Sequence, residues 1–365
     1  MITRIYADNF RCLSSFTFEP KAMNLIVGDN GAGKSALLEV ISALRMIARL
    51  SDGLRLAFSG DTRTSWDKRT TQRFELSCTD ADGAVFDWTV GLVFEQESGK
   101  TFVQRETVAK DGVTIAALER GAGVLKLRGT EVPLPYELEG SFLSLRMADA
   151  DLRSLHAMID NVVILKLDVL HIEDESSKPE GLRTDGTNFA AAYRRIRETD
   201  FERTAKLHEA LKTVIGGFKS LDQVDVSSET TRLVVRLFMA KDGSTYPLRF
   251  KNLSDGQRAL TVLYALTTTF DLKNRPLFID EPDNFVSLRE LQPWLQSLTQ
   301  AVADEGAQAT IVSHSPEVID YLASDHAWLF ERDDGGPSRV RPLSIDLDAG
   351  MKASEQLARG WVRGA

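Results

Sequence analysis

Eight residues near the N-terminus, Gly28-Asp29-Asn30-Gly31-Ala32-Gly33-Lys34-Ser35, fit the pattern GxxxxGK[ST] at every defined position. Glycines in such a run let consecutive backbone N–H groups turn inward around a phosphate, and a helix starting there adds the positive end of its dipole. Lys34 can then reach the outer phosphates of a nucleotide, and the Ser35 hydroxyl can ligate Mg²⁺. Leu277-Phe278-Ile279-Asp280-Glu281-Pro282 puts two carboxylates at the end of an apolar run. At the carboxyl end of a parallel strand, Asp280 can hold a hydrated Mg²⁺ and Glu281 can orient or deprotonate an attacking water. In Leu253-Ser254-Asp255-Gly256-Gln257, Ser254 is placed to cap a helix, and the same uncrowded helix start can face an anion. His314, in Val312-Ser313-His314-Ser315-Pro316, closes another apolar run and is a fourth candidate.

These residues need particular elements to hold them. Asn24–Val27 has the composition of a buried strand, and Leu37, Leu38, Val40, Ile41, Leu44 and Ile47 recur at helical spacing over 35–50, so the Gly-rich loop joins a strand to a helix. Ile2–Ala7 and Phe16–Phe18 read as a short antiparallel pair, and 73–108 as a meander. Residues 115–160 are mixed, with helical spacing at 142–159, and Val162–Ile172 reads as a core strand. Helices follow at 188–197 and 200–215, with a strand pair at 232–239 and 245–250 turning at Asp242-Gly243. The last third alternates helix (255–271), strand (277–279), helix (287–304), strand (309–312), helix (316–323) and strand (327–330). That order predicts a parallel α/β core.

Composition narrows the functional classes. The 365 residues are 43% hydrophobic and 27% charged, and 44 basic against 53 acidic side chains give a net charge of −9. A large core is available, whereas the net negative charge argues against a histone-like binder coated in positive charge and leaves a local basic stripe open. Cys12 and Cys78 alone can build neither a disulfide framework nor a Cys-based zinc site, which points to a reducing cytoplasm. The N-terminus lacks a signal peptide's apolar run, and no apolar stretch spans a bilayer. No internal repeat or sustained heptad occurs.

Taken in order, the four segments resemble the ATP-binding-cassette type of P-loop ATPase: Gly28–Ser35 as Walker A, Leu253–Gln257 as an LSGGQ signature with Asp255 for the first Gly, Asp280-Glu281 as Walker B with its catalytic Glu, and His314 as the switch His. Asn9-Phe10-Arg11 is similar to the opening of RecF and structural-maintenance-of-chromosomes (SMC) ATPases, where the Arg reaches the nucleotide. Asp185-Gly186-Thr187-Asn188 and Ile279–Asn284 look like the DGxN and IDEPEN segments of compact AAA-family proteins related to the overcoming-lysogenization-defect (OLD) ATPases. The resemblance implies an α/β P-loop NTPase with an ABC-ATPase-like head, a mixed or parallel core sheet, an N-terminal antiparallel β subdomain and a helical insertion. The corresponding expectation is an N-terminal lobe at 1–115, a helical insertion or arm at 116–225, a C-terminal lobe at 226–345 and a tail at 346–365.

It further implies ATP and Mg²⁺ as ligands and hydrolysis to ADP and phosphate. Glu281 and His314 would be catalytic, and Ser35 and Asp280 would hold the metal. Arg11, Gly28, Asp29, Asn30, Gly31, Ala32, Gly33, Lys34, Ser35, Ser254, Gly256 and Gln257 would contact nucleotide. Two heads would sandwich ATP as a homodimer controlling a DNA-linked process, in anti-phage defence with a separately encoded effector such as a nuclease, or in repair. DNA itself is a further candidate partner; a membrane is not. Alternatives are an ATP-stabilised scaffold and, less favoured, a transporter subunit. Three departures stand out: Phe285-Val286-Ser287-Leu288 replaces the usual Leu-His-Pro continuation, no Gln occupies the Q-loop position (His171 or Asp174 being substitutes), and the chain ends too soon after His314 for a TOPRIM nuclease domain. A basic run, Arg45, Arg49, Arg55, Arg63, Lys68, Arg69 and Arg73, reads as a solvated face before it reads as a nucleic-acid contact.

Overall fold

Side chains alternating between buried and exposed build most of the N-terminal part as strands. In the computed structural model, residues 1–360 are described apart from 122, 135–137, 146, 240, 271 and 347–349. An eight-stranded antiparallel sheet runs in the order Phe16–Phe18, Ile2–Asp8, Thr71–Thr79, Val85–Glu95, Lys100–Lys110, Val113–Glu119, Val124–Leu127, Thr130–Pro133. Phe74, Leu76, Phe86, Trp88, Val90 and Leu92 fill its inner face, while Arg73, Thr89 and Arg105 point to the other.

The chain divides into two compact units, Met1–Val162 with Asn274–Pro276 and Ile319–Ala365, and Val163–Lys273 with Leu277–Val318. In the first, Met23–Gly28 pairs in parallel with Ala327–Arg332, which pairs antiparallel with Ser338–Pro342. The helix Lys34–Arg49 buries Leu37, Leu38, Val40, Ile41, Leu44 and Ile47, the residues whose spacing predicts it.

The second unit has a parallel group in which Leu277–Asp280 lies between Val163–Lys166 and Ala309–Val312. Every residue of the middle strand is buried, the pattern expected where helices cover both faces. Thr231–Phe238 forms a separate antiparallel group with Phe218–Asp225, Thr245–Arg249 and Glu175–Ser176. Helices Phe189–Thr199 and Phe201–Val214 are joined through Asp200, whose carboxylate caps the second by accepting from Arg203 N. Trp294 Nε1 donates to Leu263 O at 2.9 Å, tying Leu288–Glu305 to Asp255–Thr269.

Several expectations need correction. Val113–Glu119, Val124–Leu127 and Thr130–Pro133 continue the antiparallel sheet, so the boundary drawn at 115/116 falls inside a strand, and among the described residues of 115–160 helix occurs at Phe142–Leu145 (3-10) and Ala150–Asp160. These late strands lie toward the sheet edge, where fewer side chains are buried and alternation fades. The boundary at 225/226 falls between two paired strands, Phe218–Asp225 and Thr231–Phe238. The strand expected over 162–172 stops at Lys166, because Lys166 N donates to Thr184 O and Asp168 N to Asp185 O. The sequence pattern predicts no element at Phe218–Asp225, Ser338–Pro342 or Ala353–Ala358, where the structure has two strands and a helix. Asp271, 347–349 and 361–365, which belong to the expected helix end and tail, lie outside the described residues.

Candidate functional site

In the first unit the Gly-rich loop is shaped by backbone that only glycine tolerates. Gly28 has φ 145°, and a Cβ there would meet Phe330 O at 2.1 Å. Gly33, at φ 104°, has its Cβ position filled by Ser338 Oγ at 2.4 Å and Cys12 Sγ at 3.1 Å. Lys34 Nζ arches back over the loop, donating to Gly28 O at 2.8 Å and Asp29 O at 2.9 Å. Asp29, Asn30, Gly31 and Ser35 are exposed, and Ala32, Gly33 and Lys34 are buried. The helix starting at Lys34 has no side-chain cap and no acid in its first turn, unlike the helices capped by Asp149, Asp200 and Ser254. Its leading N–H groups are therefore suited to an anionic ligand.

Arg11 lies in the Asn9–Cys12 turn against this loop. It is held at φ 51°, with Nε donating to Glu39 Oε2 at 3.1 Å and Nη1 to Asp61 O at 3.3 Å. Glu39 follows Ser35 by one helical turn, on the same face. Fully buried Asn9 fixes the turn by donating to Arg69 O and Thr71 O and accepting from Thr64 N. The basic run is mostly committed within the chain: Arg49 pairs with Asp160, Arg55 with Asp52, Arg69 with Asp8 and Asp67, and Arg73 with Glu75. Arg45 donates to Asp160 O, and Arg63 stacks over Phe94.

The second unit gathers the acidic strand end, His314 and the signature-like segment. Asp280 is buried, its Oδ2 3.2 Å from Lys166 Nζ. Glu281 adopts φ 50°, rare for a residue with a side chain, and its N–H donates to Val312 O at 2.8 Å. Non-glycine residues forced into such backbone concentrate at functional sites. Asn284 Nδ2 donates to Glu281 Oε2 at 2.8 Å, and His314 Nε2 lies 3.9 Å from Glu281 Oε1. Asp283 accepts from Ser313 Oγ at 2.8 Å; burial, opposed by that hydrogen bond, pushes its carboxyl above the usual range. Ser254 forms a full capping box, its Oγ accepting from Gln257 N and its N–H donating to Gln257 Oε1. Gly256 packs under the carbonyl of Phe285.

Lys166, Asp283 and Asn284 are the residues missed from the sequence. Asn284 had a signal in the Ile279–Asn284 segment, whereas Lys166 became visible only once the strand ended there. Of the two Q-loop substitutes, Asp174 is occupied by a bidentate pair with Arg249, and His171 Nδ1 bonds Asp168 Oδ2.

For the metal, no cluster of three or more His, Cys, Asp or Glu occurs among the described residues. Ser35 in the first unit and Asp280 in the second each carry an oxygen donor of the kind Mg²⁺ takes, an ion that keeps much of its water and is brought largely by nucleotide phosphates. Among the described residues, no helix is long and apolar enough to cross a membrane.

The chain matches the "AAA ATPase domain" family over residues 1–242. It belongs to that family. A second match, over residues 165–320, is to "AAA domain, putative AbiEii toxin, Type IV TA system". A comparison with curated proteins finds no match. Among solved structures, the AAA ATPase chain is similar to an SMC head bound to the C-winged helix domain of ScpA, at 14% identity and TM-score 0.57 over 94% of this chain and 98% of that one. It is also similar to an Smc head with an extended coiled coil, bound to the C-terminal domain of ScpA from Pyrococcus furiosus, at 13% identity and TM-score 0.52 over 98% and 99%. These likenesses establish the fold. The expected α/β P-loop class and the resemblance to RecF/SMC-type ATPases are borne out.

Proposed function

We propose that this AAA ATPase binds ATP with Mg²⁺, hydrolyses it, and uses the cycle to open and close a head-to-head homodimer. The observation that carries the reading is the loop at Gly28–Ser35: tight glycine backbone, a lysine folded across it, and a helix start without cap or acid. Gly28–Ser35 cradles the phosphates, assisted by Arg11. Ser35 and Asp280 hold the cation, whose bound form supplies charge neutralisation at the phosphates. Glu281, oriented by Asn284, accepts the water's proton, and His314 stands where it can sense the same carboxylate. Ser254, Gly256 and Gln257 face the partner subunit's nucleotide.

The dimer works on a DNA-linked process through a separately encoded effector, with anti-phage defence ahead of repair. A family description naming a toxin system supports a paired effector, and solved SMC heads carrying a ScpA domain support partner binding. The test is equilibrium binding of a fluorescent ATP analogue to wild type and Lys34→Ala. Loss of binding in the variant supports the reading; wild-type affinity removes Gly28–Ser35 as the site.

A further inference from the structure

The turn Thr184–Thr187 grips the connection that follows Val163–Lys166 at three points: Lys166 N donates to Thr184 O at 2.7 Å, Asp168 N to Asp185 O at 2.8 Å and Glu173 N to Thr187 O at 2.8 Å. Gly186, at φ 69°, makes that grip close, since a Cβ there would meet Leu167 Cδ1 at 2.5 Å. The consequence is a fixed strand end. Lys166 stands directly across the parallel ladder from Asp280, with its ammonium 3.2 Å from the carboxylate. The partners differ in freedom: the Lys166 side chain is 69% exposed and that of Asp280 7%. The carboxylate is set in the sheet, while the cation sits on a flexible arm that water can receive.

We infer that Lys166 is a built-in counter-ion for Asp280, a positioning residue that holds this carboxylate until a divalent cation takes its place. This rests on the proposed role of Asp280 in holding Mg²⁺. An ammonium and a divalent cation cannot share one carboxylate without like-charge repulsion, so the lysine sets a threshold for the metal. With the lysine arm exposed, the competition is modest, on the order of two- to fivefold in cation concentration. The DGxN-like segment gains a role as well: it fixes the register that presents Lys166 to Asp280.

The experiment follows fluorescent ATP-analogue binding as free Mg²⁺ is raised from EDTA conditions. In Lys166→Met the half-saturating Mg²⁺ should fall roughly two- to fivefold, while Lys166→Arg should track the wild type. An unchanged or higher half-point in Lys166→Met overturns the inference; the higher one would mean that Lys166 serves the phosphates. A second measurement needs no nucleotide: thermal melting of Lys166→Met, Asp280→Asn and the double variant. Asp280→Asn should recover part of the stability lost in Lys166→Met, because it removes the buried charge left alone. Strictly additive losses overturn the bridge. If wild type binds no analogue at any Mg²⁺ concentration, the ATP reading fails while the melting cycle still decides the pair.

Discussion

A Cβ on Gly256 would stand 2.6 Å from the carbonyl oxygen of Phe285, so the start of the helix Asp255–Thr269 and the turn after Asp280-Glu281 meet backbone to backbone. Gly256 does not need a left-handed φ; it needs the absence of a side chain. Phe285, itself at φ 72°, closes a turn in which Asn284 holds the Glu281 carboxylate.

Gly256→Ala should therefore push the turn away and misplace Glu281. Displacements of this size at a reacting group cost on the order of 10²-fold in rate. The expected result is a kcat reduced about tenfold or more with ATP affinity retained, from steady-state ATPase and analogue-binding assays. A variant with unchanged kcat would break the link between the helix start and Glu281.

Glu281→Gln should bind ATP yet barely turn over. The glutamine oxygen still accepts from Asn284, so the shape survives, but the amide cannot take the water's proton, a loss of typically about 10²–10⁴-fold. With ATP and Mg²⁺ the closed dimer should persist, visible as a doubled mass in size-exclusion chromatography with light scattering. An unchanged kcat moves the base elsewhere.

Mixing two inactive variants tests whether the site is shared between subunits. Ser254→Arg keeps the phosphate loop and spoils the signature-like segment; Lys34→Ala does the reverse. A mixed dimer would carry one intact site and recover at most about half the wild-type rate if the sites act independently. If differentially tagged heterodimers form and bind ATP but neither close nor turn over, Ser254 is only the cap of its capping box.

Glu106 gives a stability prediction outside the site. It is fully buried, accepting from Trp88 Nε1 at 2.8 Å, Ser141 Oγ at 2.5 Å and Phe142 N at 2.8 Å. Burial pushes its carboxyl up to about 7, against the opposing pull of those hydrogen bonds. A raised folded value favours the protonated form, so its contribution is whole below the ordinary glutamate range and is lost as pH rises toward 7. The full swing is on the order of 3 kcal/mol. Glu106→Gln costs stability at low pH by turning an amide N–H toward one of these donors, but its melting temperature should lack this decline between pH 4.5 and 7. Parallel pH profiles for variant and wild type would show that Glu106 does not titrate in this window.

What the sequence determined by itself is what depends on near neighbours. The Gly28–Ser35 loop, the helix after it and the strand Ala309–Val312 were legible because glycine spacing, helical period and short apolar runs are local properties. The capping box at Ser254 was equally local. What only the tertiary structure decided is what depends on register between distant segments. The meeting of Lys166 with Asp280, the burial of Glu106 beneath Ser141 and Phe142, and the reason for Gly256 each need two stretches of chain brought to one place. The basic run of residues 45–73 reads as a solvated face, and which acids Arg49, Arg69 and Arg73 find there is supplied by the fold. Periodicity states which face of a segment is apolar. It carries no information on which residue of another strand will stand opposite, and that pairing sets the partner of each buried charge.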